Sequence, residues 1–235
     1  MTKDDFREQI WDHLEAEGLA RFPFPPHGRI PNYANHREAA DRLATTEAWQ
    51  QAETLKCNPD APQLPVRRRA LHDEKTIYMA VPRLRDAQPF LRLDPEEVDD
   101  IDAATTVSGC SKHGIPVDPE ELPHIDCIVA GSVAVDETGS RVGKGEGYSD
   151  LEFAVLQGFD RVDESTTVVT TVHDTQIVER IETDRHDVPL DLIVTPTRTI
   201  ETESTAERPK GLYWNDLDAE TIAEIPVLER LQPKQ

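Results

Sequence analysis

The chain has little lysine, little cysteine and no long apolar run, and each shortage excludes something. Lysine stands at only seven positions (3, 56, 75, 112, 144, 210 and 234) among 235 residues, so most of the 25 basic residues are arginine. Against them stand 46 acidic residues, a formal net charge of -21. Such a charge repels phosphate backbones and anionic bilayers at long range, which argues against nucleic acids and membrane surfaces as partners. An acid-rich, lysine-poor surface is also what a protein from a halophilic archaeon carries, and a melting temperature that rises with KCl is the expected sign of it. Three cysteines (Cys57, Cys110 and Cys127) are an odd number without C-x-x-C spacing, which argues against a zinc site and for a reducing, cytoplasmic setting. No stretch approaches the roughly 18 apolar residues of a membrane span. The first twenty residues carry charge throughout, so no secretory leader is expected there. Neither G-x-G-x-x-G nor a loop ending G-K-[ST] occurs, and no nucleophile elbow accompanies any histidine.

What is present is enough for one domain over 1–235: 37% of the residues are hydrophobic, and single α/β domains commonly reach this size. Phe6, Ile10, Trp11 and Leu14 mark one face of an opening helix capped at Thr2 or Asp4, with Lys3 and Arg7 four apart on a neighbouring face. The prolines between Phe22 and Pro31 end that helix. A second helix is expected over 36–55. Strands are expected at 76–81, at 125–135 as one almost continuously apolar run, at 166–172 and at 190–194. Helices are expected over 148–158 and 217–231, and the acidic segment 94–104 reads as a surface excursion. Short apolar strands separated by helical lengths indicate an α/β, doubly wound, mostly parallel sheet with helices on both faces. Ligands of such sheets sit at the carboxyl ends of the strands. A monomer or a weak homo-oligomer is the expected assembly.

The segment G-S-R-V-G-K-G-E-G-Y-S-D, from Gly139 to Asp150, lies between a buried strand and a helix. Gly143, Gly145 and Gly147 let backbone amides approach an anion, the helix start adds its positive end, and Arg141 and Lys144 add charge. A polyphosphate cradle and a glycine-rich surface turn both fit this spacing. Asp150 would either hold Mg²⁺ against the phosphates or cap the helix. The runs His173-Asp174 and His186-Asp187, with Asp191, place titratable groups at strand ends, as structural hydrogen-bonded pairs or as part of a site. Arg83 and Arg85 follow the strand at 76–81 and would either reach an anion or remain solvated.

Taken together, Lys3-x-x-x-Arg7, G-x-R-x-G-K-G-x-G-Y from Gly139 to Tyr148 with Asp150 two residues on, and H-D-x-x-x-D from His186 to Asp191 resemble the 5-formyltetrahydrofolate cyclo-ligase family. The chain is still more similar to the branch of methenyltetrahydrofolate synthetase domain-containing proteins, through Arg29-Ile30-Pro31-Asn32, Val81-Pro82-Arg83-Leu84, V-A-G-S-V-A-V from Val129 to Val135, and T-P-T-R from Thr195 to Arg198. The resemblance implies a three-layer α/β/α fold of the NagB/RpiA/CoA-transferase kind, with ATP and Mg²⁺ as cofactors and a reduced folate as substrate. It implies attack of the formyl oxygen on the γ-phosphoryl group and ring closure by N10. By match, Lys3 and Arg7 would contact phosphates, and Arg141, Lys144 and the Gly143–Gly147 amides with Glu146 would hold the triphosphate. Asp150 would serve the metal, Tyr148 would border the folate, and His186 and Asp187 would shape the nucleotide end. The family pattern ends G-Y-Y-D-R where this chain has Tyr148, Ser149, Asp150 and Leu151, so one aromatic and one cation on the folate side are missing. A nucleotide- or RNA-binding relative without formylfolate turnover is the alternative, and an acyl- or sugar-phosphate enzyme a more distant one.

Overall fold

Thr2 begins the molecule's first helix by a reciprocal capping box. Its hydroxyl accepts from the Asp5 amide at 3.2 Å while its own amide donates to the Asp5 carboxylate at 2.8 Å. The computed structural model, which describes residues 1–204 and 206–233, then runs in order through α1 (Lys3–Ala16), the short pair β1 (Ala20–Arg21) and β2 (Asn32–Tyr33), α2 (His36–Leu43), α3 (Glu47–Gln51), β3 (Thr54–Cys57), α4 (Leu64–His72), β4 (Thr76–Ala80) and β5 (Phe90–Leu93). It continues through α5 (Ile101–Ala104), α6 (Val107–His113), β6 (Ile115–Val117), β7 (Cys127–Ala130), β8 (Ala134–Asp136), β9 (Arg141–Val142), α7 (Tyr148–Gly158), β10 (Thr167–Thr171), β11 (Ile177–Val178), β12 (Leu192–Val194), β13 (Thr199–Glu201), α8 (Ala219–Glu224) and α9 (Pro226–Leu231).

The main sheet has eight strands among the described residues, in the order β13-β12-β10-β7-β3-β4-β5-β6. Its five inner strands, β12 to β4, are parallel, and antiparallel strands close both edges. One face is covered by α7 and α9, with Phe153, Val155, Leu156, Val227 and Leu228 in its core. The other is covered by α2 and α4, with Leu43, Trp49, Val66, Ala70 and Leu71. A three-layer α/β/α fold with a mostly parallel sheet is therefore what the alternating pattern builds. A small second sheet, β11-β8-β9, packs beneath α1, whose Phe6, Ile10, Trp11 and Leu14 are all buried as their spacing predicts.

Four expected elements differ. The helix over 36–55 divides because the Thr45 and Thr46 hydroxyls return to the Arg42 and Leu43 carbonyls at 2.7 and 2.8 Å, and Thr46 then caps α3. Hydroxyls that offer the backbone this alternative end helices. Leu55 belongs to β3 instead. The run 125–135 is two strands in two sheets, broken at Gly131, where a Cβ would meet Asp60 Oδ2 at 2.8 Å and Ile30 at 3.0 Å. The closing helix over 217–231 parts into α8 and α9 at Pro226, whose missing N–H cannot continue α8. Within 94–104, residues 101–104 form α5, capped by Asp100.

Candidate functional site

The helices that follow β3 and β7 lie on opposite faces of the sheet, α4 on one and α7 on the other, although the two strands are neighbours. At such a switch point the connecting chains part and leave a crevice beyond the strand ends. Here it is a cavity of about 290 Å³. It is lined by Asn58 and Asp60 after β3, Val81 and Arg83 after β4, Gly131 after β7, and the loop from Gly143 into α7.

The loop has the backbone an anion site needs. Gly145 (φ +105°) and Gly147 (φ +71°) occupy the left-handed region, and Gly147 is the N-cap of α7 with no side chain capping the first turn. The first amides of this eleven-residue helix are thus open to a ligand. Arg7 supports the loop from α1: its Nε donates to the Gly143 carbonyl at 2.8 Å, and its guanidinium lies 3.4 Å from where a Cβ on Gly145 would be. Another of its nitrogens is paired with Asp4.

The remaining cations are already engaged. Lys144 meets Glu146 at 2.7 Å, and Arg83 approaches the same carboxylate at 3.9 Å. These are half-exposed pairs, each contributing about 0–1 kcal/mol, which an incoming anion can displace. Lys3 lies between Asp184 (2.8 Å) and Asp187 (2.6 Å). Burial works to lower its pKa, the bonds to the two aspartates outweigh that, and the result is raised.

Arg141 and Asp150 form the rigid base of the loop. Both side chains are nearly enclosed; Arg141 Nη2 donates to Asp150 Oδ1 at 2.5 Å and Nη1 to the Gly131 carbonyl at 3.3 Å. Asp150 Oδ1 also accepts from the Val188 amide at 3.1 Å. Asp150 sits in the first turn of α7, not at its cap, and its Oδ2 accepts no hydrogen bond among the described residues. Tyr148 lines the cavity beside it, and His186 lines an adjoining one.

Other polar residues at the cavity escaped the sequence reading. Lys56 on β3 is buried and ion-paired with Glu152 on α7, which lines the cavity. Lys56 Nζ also donates to Asn58 Oδ1 at 3.2 Å, which leaves the Asn58 amide nitrogen for a ligand. Arg67, fully buried, holds the turn after β3 by donating to the carbonyls of Asn58 (2.7 Å) and Asp60 (3.0 Å). The Asp60 carboxylate accepts no hydrogen bond among the described residues. Burial raises its pKa, and the nearby charges of Lys144 and Arg67 offset this only in part. Two signals were legible: a lysine between Leu55 and Cys57 in a buried strand, and a glutamate inside the apolar L-E-F-A-V run of α7.

The strand-end pairs separate. Asp174, after β10, accepts from the Thr195 and Thr197 hydroxyls at 2.7 and 2.5 Å, the structural reading of that pair. Asp191 lies at the amino end of β12, away from the cavity, and bonds the Val168 amide and Arg208. Arg85 is engaged by Glu224 at 2.6 Å.

A mostly parallel sheet with a cavity at its switch point, bordered by a glycine-rich loop on a helix start, gives this α/β/α fold a candidate ligand site. The chain belongs to the 5-formyltetrahydrofolate cyclo-ligase family, whose sequence model matches residues 20–196. A methenyltetrahydrofolate synthase domain-containing protein of Bos taurus is 39% identical over 240 residues, covering 100% of this chain and 63% of the relative. That of Homo sapiens is 36% identical and is covered to 62%, so the chain spans a little under two thirds of these proteins. A 5-formyltetrahydrofolate cyclo-ligase of Escherichia coli (strain K12) is 35% identical over 80 residues, 34% of this chain. In fold, the chain is similar to the 5,10-methenyltetrahydrofolate synthetase of Aquifex aeolicus, with a TM-score of 0.56 at 19% identity over 88% of this chain and 96% of that one. Among the described residues no helix is long and apolar enough to cross a membrane.

Proposed function

We propose that this chain is an ATP- and Mg²⁺-dependent ligase that converts 5-formyltetrahydrofolate to 5,10-methenyltetrahydrofolate, releasing ADP and phosphate. Family membership supports the reading, and one observation carries it: the uncapped start of α7 and the unpartnered Asp60 carboxylate line the same cavity. One end of that cavity suits a polyphosphate and the other suits the polar edge of a heterocycle.

The amides of Gly143 to Gly147 would take phosphate oxygens, with Lys144 turning from Glu146 to the ligand and Arg7 holding the loop's shape. Phosphoryl transfer needs positioning and charge stabilisation more than covalent work. The donor set fits a hard cation as well, since Asp150 would present Oδ2 while Oδ1 stays on Arg141. A bound Mg²⁺ would neutralise developing charge on the phosphates. Asp60 and the Asn58 amide nitrogen, one acceptor and one donor side by side, would orient the folate ring beside Tyr148.

A second reading, a nucleotide binder that does not turn over formylfolate, is favoured by Ser149 and Leu151 at the positions where the family pattern has an aromatic and a cation. One experiment decides between them: purified protein with 5-formyltetrahydrofolate, Mg²⁺ and ATP, followed by the near-ultraviolet absorbance of the methenyl product beside an ATP-free control. An ATP-dependent rise is expected. No rise, with ATP binding intact, favours the second reading.

A further inference from the structure

The strand β3 lies inside the sheet, paired with β4 on one side and β7 on the other, and its side chains alternate between the two layers. Leu55 and Cys57 enter the core beneath α2 and α4. Lys56 therefore points the other way, toward α7, where its side chain is 2% exposed and its ammonium meets Glu152 and, at 3.2 Å, Asn58 Oδ1. Both partners line the cavity at the switch point, whereas Lys56 itself does not.

An ammonium has three donors and no acceptor, so the side of the Asn58 amide that faces it must be the oxygen. The Asn58 backbone is held from both directions, its N–H donating to Gln63 Oε1 at 3.1 Å and its carbonyl accepting from Arg67 Nη1 at 2.7 Å. Rotation of the side-chain amide is the freedom that remains, and among the described residues the bond from Lys56 is the one that restrains it. The Asn58 nitrogen is thereby committed as a donor, two residues from the Asp60 carboxylate, which is an acceptor lining the same cavity. A donor beside an acceptor complements a ring edge with a carbonyl next to a ring N–H. An amino group in place of that carbonyl reverses the pattern, because the exocyclic group then donates and the ring nitrogen accepts. A site built on hydrogen bonds rejects the ligand that leaves its own groups unpaired.

We propose that Lys56 is a positioning residue that sets the ring specificity of the cavity: by holding the Asn58 amide oxygen it fixes a donor beside Asp60 and so selects an oxo heterocycle over its amino counterpart. This rests on the folate reading of the cavity. Lys56 acts through Asn58 and touches no ligand, and Glu152 balances its charge from α7.

The test is calorimetric titration of the full chain with 5-formyltetrahydrofolate and with its 4-amino-4-deoxy counterpart, which differ in one ring substituent. The variants are Lys56→Met combined with Glu152→Leu, and Asn58→Asp. The first removes both buried charges together, a change that is commonly neutral or stabilising, and the second exchanges the donor for an acceptor at constant size. The wild type should bind the oxo ligand at least tenfold tighter than the amino one, and in both variants that ratio should fall at least threefold. A merely structural role for Lys56 would weaken both ligands alike and leave the ratio unchanged, which overturns the proposal. An unchanged ratio in Asn58→Asp overturns it too, since Lys56 would then have nothing to act through. Equal binding of the two ligands by the wild type does the same and needs no variant, so it survives a folding defect. Binding of neither ligand by the wild type would instead sink the folate reading on which the proposal rests.

Discussion

The two edges of the central sheet carry the same residue type to opposite ends. At the amino edge, Asp126 accepts from the Glu53 and Thr54 amides and the Thr54 hydroxyl, at 2.9, 2.9 and 2.8 Å, joining β3 to β7. Burial works to raise its pKa, but these bonds outweigh it and hold it below the ordinary carboxylate value. Asp191, at the same edge, is satisfied by the Val168 amide and Arg208. At the carboxyl edge Asp60 has no such partner, and burial moves its pKa the other way. The aspartates at the amino edge are satisfied within the fold, whereas at the carboxyl edge Asp174 is held by two threonines and Asp60 is left facing the cavity.

The largest effect expected from the carboxyl edge is on turnover. Lys144→Ala should lower ATP-dependent turnover by about 100-fold, as removal of one charge-stabilising donor commonly does, with the melting temperature unchanged because the pair it leaves is half-exposed. A large loss of stability would show that Lys144 belongs to the framework instead. At the amino edge, Asp126→Ala should cost about 1–3 kcal/mol in urea unfolding at neutral pH and leave the KM for ATP alone. Because the native pKa of Asp126 is depressed, its contribution is present above the unfolded carboxylate pKa and is lost as pH falls through the native value. The wild-type and variant curves should therefore converge in acid.

Asp60→Asn tests the opposite sign. With a native pKa above the unfolded one, Asp60's contribution is fully present only below the unfolded pKa and is lost as pH rises through the native value. The variant should accordingly melt higher than the wild type at neutral pH while binding formylfolate more weakly. A lower melting temperature would place Asp60 with the satisfied aspartates of the amino edge. The smallest effect concerns Glu146, which engages Lys144 and Arg83 where an anion would lie. Glu146→Gln should tighten tripolyphosphate binding a few-fold in calorimetry, about what one exposed ion pair contributes.

Much of this was legible in the order of residues. The capped α1, the span of α7 and the parallel core followed from local signals, since apolar periodicity and caps act within one or two turns. The glycine-rich loop was legible because only glycine enters a left-handed turn without strain. The break at Gly131 was not, because the side chain that leaves no room for a Cβ there, Asp60, comes from the turn after the neighbouring strand β3, far earlier in the chain.

The linear order therefore determined which elements form and which loop can face an anion. Only the tertiary structure decided that Asp60, Asn58 and the Lys56–Glu152 pair gather beneath that loop, that Arg141 holds Asp150, and that the Leu212–Leu217 segment walls a second cavity. The physical reason is range. Backbone preference is set by neighbours in the chain, whereas burial, and with it the charge state of a carboxylate, is set by whatever the fold packs around it.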